Sequence, residues 1–237
     1  MKKLCIGMMV FATLGVAQAT LLAEYTFDTD TTDTAGGHTG ILGTGASVAG
    51  GVLSIDAAGG YMDLAATFGA VNPFGGASDF SIQMEFKTTG GCNLITSATP
   101  GQSPDDTTHD LSVWVRGNRE WIYYDNYYLG DPRIAVTGIK DGTWKDLLIT
   151  YEAATDAMTL ICDGVTLNAW LDPAKDASLD TVRLGGSVQA DMNLGSVAGM
   201  AFDNVRIYNE VIPEPATIGM FGMGGLIALF IRRRRVK

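Results

Sequence analysis

Residues 142–167, GTWKDLLITYEAATDAMTLICDGVTL, decide the fold class of this chain. The stretch holds two runs rich in β-branched and aromatic residues, a composition that is typical of strands. A turn sequence joins the runs, and Asp163-Gly164 follows the second run, which is a strong signal for a β-hairpin. The stretch therefore predicts antiparallel strands connected by tight turns.

The same pattern continues outward through most of the chain. Short strand-like runs alternate with turn-forming Gly, Asn, Asp and Pro, and segments of helical period are few. This spacing favours an all-β antiparallel sandwich or jelly roll over alternating βαβ units. Residues 20–212 are numerous enough for one domain with a sizeable core. The clearest other runs are LLAEYTF (21–27), DFSIQMEFKT (79–88), LSVWVRG (111–117), EWIYY (120–124) and MAFDNVRIY (200–208).

The first 19 residues have the layout of a secretory signal peptide. Two lysines precede an apolar run from Leu4 to Val16, and small residues follow, ending in Ala17-Gln18-Ala19. The apolar run is shorter than the roughly 20 residues that a membrane-spanning helix needs. We therefore expect residues 1–19 to be a signal peptide that is cleaved after Ala19 during export.

Residues 213–237 form a second segment outside the predicted domain. Pro213-Glu214-Pro215 is followed by an uncharged run that ends at Ile231, close to the lower length limit for a spanning helix. This order of elements resembles the PEP-CTERM sorting signal, which implies an exosortase-type protease as partner. It also implies a C-terminal transmembrane helix and a place in the envelope, at the bacterial surface or in the extracellular matrix. The run is followed directly by Arg232, Arg233, Arg234 and Arg235, which should stay on the cytoplasmic side.

The charge of the predicted domain restricts its partners. Residues 20–212 contain nine Lys and Arg against 25 Asp and Glu, a net charge of about −16. Nucleic acid is excluded as a partner because phosphate binding requires a basic surface. The two cysteines of this segment, Cys92 and Cys162, leave two alternatives open, a disulfide or two buried thiols.

Four segments resemble, in order, a LamG-like domain of the concanavalin A-like lectin/glucanase group. They are AEYTFD at 23–28, the run at 79–88, the hairpin that contains Trp144 and Tyr151, and FDNVRIYNEVI at 202–212. The resemblance implies a two-sheet antiparallel jelly-roll sandwich. It also implies a structural Ca²⁺ where the first and last strands meet, at the matching positions Asp28 and Asp203.

Two further aspartates bear on the calcium hypothesis. Asp30 and Asp33 lie in the loop next to Asp28 and could add oxygen ligands. The alternative is that these loop aspartates form Asx turns or are solvated.

The sequence argues against catalysis. Glycoside hydrolases require two carboxylates flanking the scissile bond, and no E-x-D-x-E or similar pairing occurs in the predicted domain. His38 and His109 lie in Gly-, Thr- and Asp-rich loops, without a G-x-S-x-G or H-E-x-x-H pattern. We therefore expect no enzyme; an unrecognised glycan-active enzyme is the least favoured alternative.

The segment WIYYDNYY, residues 121–128, is the most unusual local feature. Strand alternation predicts Trp121 and Tyr123 on one face and Ile122 and Tyr124 on the other, so some rings should be exposed. Rings with polar edges suit stacking on sugars or on a protein partner, with Arg119 nearby as a hydrogen-bonding group. The alternative is that the rings pack the core and a sheet edge. The predicted ligand-binding patch is Trp121, Tyr123, Tyr124, Tyr127 and Tyr128.

These observations favour a non-catalytic surface module that binds an extracellular polysaccharide or a matrix protein. A structural coat or matrix protein without a small ligand is the alternative from another class. Both hypotheses fit the acidic composition, so binding experiments must separate them.

Overall fold

The computed structural model describes most of the predicted domain. The predicted sorting tag, and all of the predicted signal peptide except Ala19, lie outside the described residues. The statements below concern residues 19–57, 59–64, 78–98, 112–125, 132–170, 181–186 and 199–212.

Two antiparallel sheets make up this part of the chain, which contains strands and no helix. The predicted all-β class is therefore confirmed. The first sheet contains β1 Leu21–Tyr25, β3 Ala46–Ala49, β4 Val52–Ile55, β6 Phe80–Lys87, β11 Lys145–Glu152, β12 Ala157–Cys162, β13 Val165–Trp170 and β15 Met200–Tyr208. The second contains β2 Ile41–Leu42, β5 Met62–Asp63, β7 Cys92–Ala98, β8 Ser112–Val115, β9 Trp121–Asp125, β10 Arg133–Ala135 and β14 Thr181–Leu184.

The hairpin predicted from residues 142–167 is present. β11 pairs with β12, and β12 pairs with β13 across the two-residue turn Asp163-Gly164. Both turn residues have positive φ, 47° and 78°, the conformation that type I′ turns require and that an Asp-Gly pair adopts readily. β12 alternates strictly between buried and half-buried residues, so one of its faces packs on the core.

The last strand, β15, holds the first sheet together. β6 pairs along one edge of β15, while β4 and β1 share the other edge. β4 pairs with residues 200–202 and β1 with residues 205–208, and a bulge between Asp203 and Arg206 separates the two. Asn204, in this bulge, has a φ of 49°. The bulge therefore lies where β15 changes partner.

One hydrophobic core fills the space between the two sheets. Strand alternation sends Ile82 and Phe202 of the first sheet, and Val113 and Ile122 of the second, into the same buried cluster. No helix within the described ranges is long and apolar enough to cross a membrane. The short strands β2 and β3 were missed in the sequence, because their Gly- and Ala-rich surroundings carry little strand signal.

Asp33 orders the loop that leads from the first sheet to the second. Its side chain is fully buried and accepts hydrogen bonds from the backbone N–H groups of Glu24, Ala35 and Gly36, at 2.6, 2.8 and 2.7 Å. Burial raises the pKa of Asp33, but these bonds and the contact with His38 Nδ1 outweigh it and hold the pKa below its usual value. The loop therefore loses support as the pH falls through that lowered pKa.

The two cysteines are separate buried thiols. Cys92 lies on β7 of the second sheet and Cys162 on β12 of the first, and neither forms a disulfide. Burial raises the pKa of each thiol to about 12, and at Cys162 the nearby Asp163 carboxylate adds to the effect. Of the two alternatives that the sequence left open, the structure contains the buried thiols.

We expect neither thiol to react in the folded protein. In a chain that begins at residue 20, a thiol reagent at pH 8 should label no cysteine before denaturation and both afterwards, because the thiolate is absent and inaccessible. A reducing agent should leave the melting temperature unchanged. Rapid labelling of the native protein, or a melting temperature that falls on reduction, would contradict this arrangement.

Candidate functional site

The face of the second sheet that points away from the core, here called the outer face, carries an aromatic pair. Val113, Val115 and Ile122 belong to the core, so alternation places Trp114 and Tyr123 on the outer face. The two residues are cross-strand partners, and their rings stack with centroids 4.5 Å apart and planes at 15°. Trp114 is 9% exposed and Tyr123 is fully buried. They form the base of the site and not its contact surface.

Trp121 is the aromatic ring nearest to solvent in this group. It lies on the same face as Tyr123, tilted by 49° with centroids 5.9 Å apart, and it is half-buried. Strand alternation thus places Trp121 and Tyr123 together, as the sequence predicted. Tyr124 occupies a strand position opposite Val113, and Tyr127 and Tyr128 lie outside the described residues.

Three arginines surround these rings. Arg133 and Arg119 place their guanidinium carbons 4.6 and 4.9 Å from the centroid of the Trp121 ring. Arg116 donates a hydrogen bond from Nη1 to the Tyr123 hydroxyl oxygen at 3.1 Å. Such cation–π contacts hold each guanidinium at the ring while its N–H groups remain available to a ligand. We call Trp114, Trp121, Tyr123, Arg116, Arg119 and Arg133 the aromatic–arginine cluster.

Local pairing explains how the arginines reach the rings. The Arg116 N–H donates to the Trp121 carbonyl at 3.1 Å, which extends the β8–β9 ladder and closes the turn that contains Arg119. Arg133 on β10 is the cross-strand partner of Tyr123. The sequence analysis named Arg119 but missed Arg116, Arg133 and Trp114. Alternation in LSVWVRG could have assigned Trp114, whereas Arg133 required knowledge of which strand pairs with β9.

The arginines of the cluster differ from other described cations in their ion pairing. In the described part of the chain, Arg116, Arg119 and Arg133 form no ion pair, whereas Lys145 and Arg206 each contact a carboxylate. The Arg206 Nε to Glu24 Oε1 distance is 2.7 Å. In a domain with a large excess of acidic residues, three guanidinium groups without an ion pair among the described side chains concentrate positive charge at one place.

Two buried donors next to the cluster also lack partners. Trp114 Nε1 and Asn93 Nδ2 are inaccessible to solvent and make no hydrogen bond. The two residues are directly paired across β7 and β8, and Asn93 is 2% exposed. An unpaired buried donor costs about 1–3 kcal/mol, so two at paired positions require an explanation.

The outer face continues from the cluster toward β14 and β5. Thr96 donates from its hydroxyl to the Gly186 carbonyl at 2.9 Å. Arg183 lies 3.9 Å over the Tyr61 ring, and its Nε is 3.6 Å from Asp63 Oδ2. The face is therefore polar and aromatic along its length, and its unpaired cations are at the β8–β10 end.

The predicted calcium positions lie at the bulge of β15. The pKa of Asp203 is raised, chiefly by burial and further by the nearby Asp28 carboxylate, although the Asn204 N–H donates to Asp203 at 2.7 Å. Glu85 is the cross-strand partner of Asp203 and accepts from Asn204 Nδ2 at 3.2 Å. Asp28 and Asp203 are thus close together, as the resemblance implied, and no set of three or more His, Cys, Asp or Glu within the described ranges is arranged to hold a metal ion.

The other two aspartates of the calcium hypothesis have structural roles. Asp30 accepts a hydrogen bond from the Thr32 N–H at 2.7 Å, which closes an Asx turn. Both carboxylate oxygens of Asp33 accept backbone N–H groups inside the loop. Of the two histidines that the sequence places in loops, His38 contacts Asp33 with its Nδ1 atom 3.2 Å from Oδ2. His109 lies outside the described residues.

Comparison with known protein families finds a match at the C-terminal end of the chain. The family model of the PEP-CTERM protein-sorting motif matches residues 211–235, which confirms the sorting signal predicted at 213–237. No curated protein matches the chain in a sequence comparison.

Solved structures share the fold at low identity. A Trypanosoma rangeli sialidase in complex with 2,3-difluoro-KDN superposes with a TM-score of 0.62 at 12% identity, over 81% of this chain and 31% of the sialidase. The binding domain of botulinum neurotoxin DC in complex with SialylT superposes with a TM-score of 0.55 at 11% identity, over 81% of this chain and 48% of the neurotoxin chain. A botulinum neurotoxin type C, whose cell entry depends on interaction with two ganglioside molecules, superposes with a TM-score of 0.55 at 10% identity, over 86% of this chain and 51% of the neurotoxin chain. This chain thus spans about half or less of each, and the likeness extends to the fold alone.

Replacing Asn93 tests whether its unpaired amide lowers the free energy of unfolding. Asn93→Leu should raise the free energy of unfolding by about 1 kcal/mol, because it removes a buried donor that has no partner. Thr96→Val on the same strand is the matched control and should lower the free energy by about 1 kcal/mol, because the Gly186 carbonyl loses its donor. Chemical denaturation measures both values, and a destabilised Asn93→Leu would show that the amide is satisfied in solution.

Asp203 should destabilise the protein at neutral pH in the absence of calcium. Because the pKa of Asp203 is raised in the folded state, the native protein favours the protonated form. The contribution of Asp203 to the free energy of unfolding therefore becomes less unfavourable as the pH falls through the raised pKa. Asp203→Asn should therefore raise the free energy of unfolding by about 0.5 kcal/mol at pH 7, and this increase should become smaller toward pH 4.

Melting curves with Ca²⁺ and with chelator test the metal hypothesis on the same pair of proteins. If Asp28 and Asp203 bind calcium, the wild type gains stability with Ca²⁺ and Asp203→Asn does not. Equal curves for the wild type with Ca²⁺ and with chelator would eliminate the site.

Proposed function

We propose that this protein is an exported, non-catalytic surface module that binds carbohydrate through the aromatic–arginine cluster. The observation that carries the proposal is the half-buried Trp121 ring, flanked by Arg119 and Arg133, above the stacked Trp114 and Tyr123. A flat ring fixed by packing suits stacking on a sugar face, and adjacent guanidinium groups suit hydrogen bonds to ring substituents. The domain is a LamG-like, concanavalin A-like jelly roll in this proposal.

Sorting at the envelope is the second part of the proposal. The motif matched at 211–235 supports processing by an exosortase-type protease. The uncharged run before Arg232 then acts as a transient or permanent membrane anchor. The domain is carried to the cell surface or the extracellular matrix, where a polysaccharide ligand is available.

The structural neighbours support a binding role by analogy. One of them is the binding domain of botulinum neurotoxin DC in complex with SialylT, and another is a botulinum neurotoxin type C whose cell entry depends on interaction with two ganglioside molecules. A fold hosts many functions, so this support is weaker than the geometry of the cluster.

Trp121→Ala tests the proposal. The chain should shift in gels that contain a soluble polysaccharide ligand, and Trp121→Ala should weaken the interaction by about tenfold or more, because stacked aromatic rings dominate such contacts. Trp144→Ala is the matched control, because Trp144 is 38% exposed beside Lys87, at the start of β11 in the first sheet.

The outcomes separate the competing functions. Equal binding by Trp121→Ala and the wild type would place the ligand elsewhere on the domain. Absence of binding to every polysaccharide tested would replace this proposal with the structural matrix protein. Release of reducing sugars from a polysaccharide would indicate an enzyme.

A further inference from the structure

The charges of the cluster are opposite in sign to those of the domain. Three of the nine basic residues between positions 20 and 212 are Arg116, Arg119 and Arg133. Other basic side chains are neutralised locally, since Lys145 lies 3.6 Å from carboxylate oxygens of both Asp141 and Asp163. Among the described residues, no carboxylate forms an ion pair with the three cluster arginines. Glu120, the neighbour of Arg119 in the sequence, accepts instead from the Gly138 N–H at 3.2 Å.

The unpaired donors add a second, independent observation. Trp114 Nε1 and Asn93 Nδ2 can only donate, and they belong to paired residues beside Arg116, whose guanidinium carbon is 6.0 Å from the Trp114 ring. Both donors are buried, where a hydrogen bond to a charged acceptor is stronger than one to a neutral acceptor. The donors that a ligand can reach are the guanidinium groups of the exposed Arg119 and Arg133 and of the half-buried Arg116, and they favour a ligand that supplies acceptors and negative charge.

Building on the proposed function, we infer that the glycan is acidic, a polysaccharide whose sugar carboxylates bind at Arg116 and Arg133. The planar guanidinium matches a carboxylate with two parallel hydrogen bonds. Trp121 stacks on the sugar ring that bears the carboxylate. Neutral glycans would leave the arginines without the negative charge that compensates them, so the same face discriminates against neutral glycans.

The experiment compares glycans that differ in charge alone. Polygalacturonate, polymannuronate and hyaluronate are each paired with their carboxyl-reduced, neutral derivatives. The full-length chain is held in a polyoxyethylene detergent, which accommodates the apolar tail and contains no sugar. Dissociation constants are measured by calorimetry at 0.15 M salt, and the fold of every variant is checked by its melting curve.

At least one acidic polymer should bind, and its reduced derivative should bind at least about tenfold more weakly. Arg116→Gln and Arg133→Gln should each weaken binding by about tenfold, whereas Lys87→Gln, with the same loss of charge beside Trp144, should leave it unchanged.

Each remaining outcome overturns a different claim. Equal binding of an acidic polymer and its reduced form would leave carbohydrate binding intact and refute the selection for charge. Equal weakening by Lys87→Gln and Arg116→Gln would reduce the effect to general electrostatics and refute the site. If no member of any pair binds, both the acidic ligand and the proposed function are wrong.

Discussion

The hydrogen-bond ladder along both edges of β15 is the constraint on which the first sheet depends. β6 occupies one edge over the length of the strand, and β4 and β1 divide the other edge at the Asp203–Arg206 bulge. This single strand thereby joins the beginning, middle and end of the domain, so its register decides which residues of three other strands face the core. The bulge also places the Asp203 carboxylate beside Asp28, and burial, followed by repulsion from Asp28, raises the pKa of Asp203.

The shared core then determines the chemistry of the outer face. Since Val113, Val115 and Ile122 are committed to the core, the residues between them must point outward. Trp114 and Tyr123 are consequently large rings on a face that the core does not use, and they are buried against each other and their neighbours. Arginines stacked on these rings bury part of their apolar stems while their guanidinium groups keep donors free. Strand alternation thus determines the position of the site, and the arginines give it positive charge.

The sequence predicted strands well and contacts between distant strands poorly. The hairpin at 142–167 was predictable because Asp163-Gly164 satisfies the positive φ values of a tight turn locally. Alternation likewise assigned Trp121 and Tyr123 to one face. Arg133 could not be assigned, because its place beside Tyr123 depends on the β9–β10 pairing. Tyr123 was expected to contribute to an exposed patch, yet it is fully buried, and one strand considered alone contains no information on such packing.

An acidic domain that binds an acidic polymer is physically consistent because the two effects act over different distances. The net charge of about −16 repels a polyanion at long range, but at physiological salt this repulsion is screened beyond about 8 Å. Contacts within the cluster are much shorter and partly buried, so salt weakens them less. Long-range repulsion then slows encounter and prevents loose association, whereas short-range pairing fixes the ligand at one place. Such a protein would bind an acidic glycan only where the arginines and the Trp121 ring are engaged together, which is a stricter condition than attraction to a basic surface.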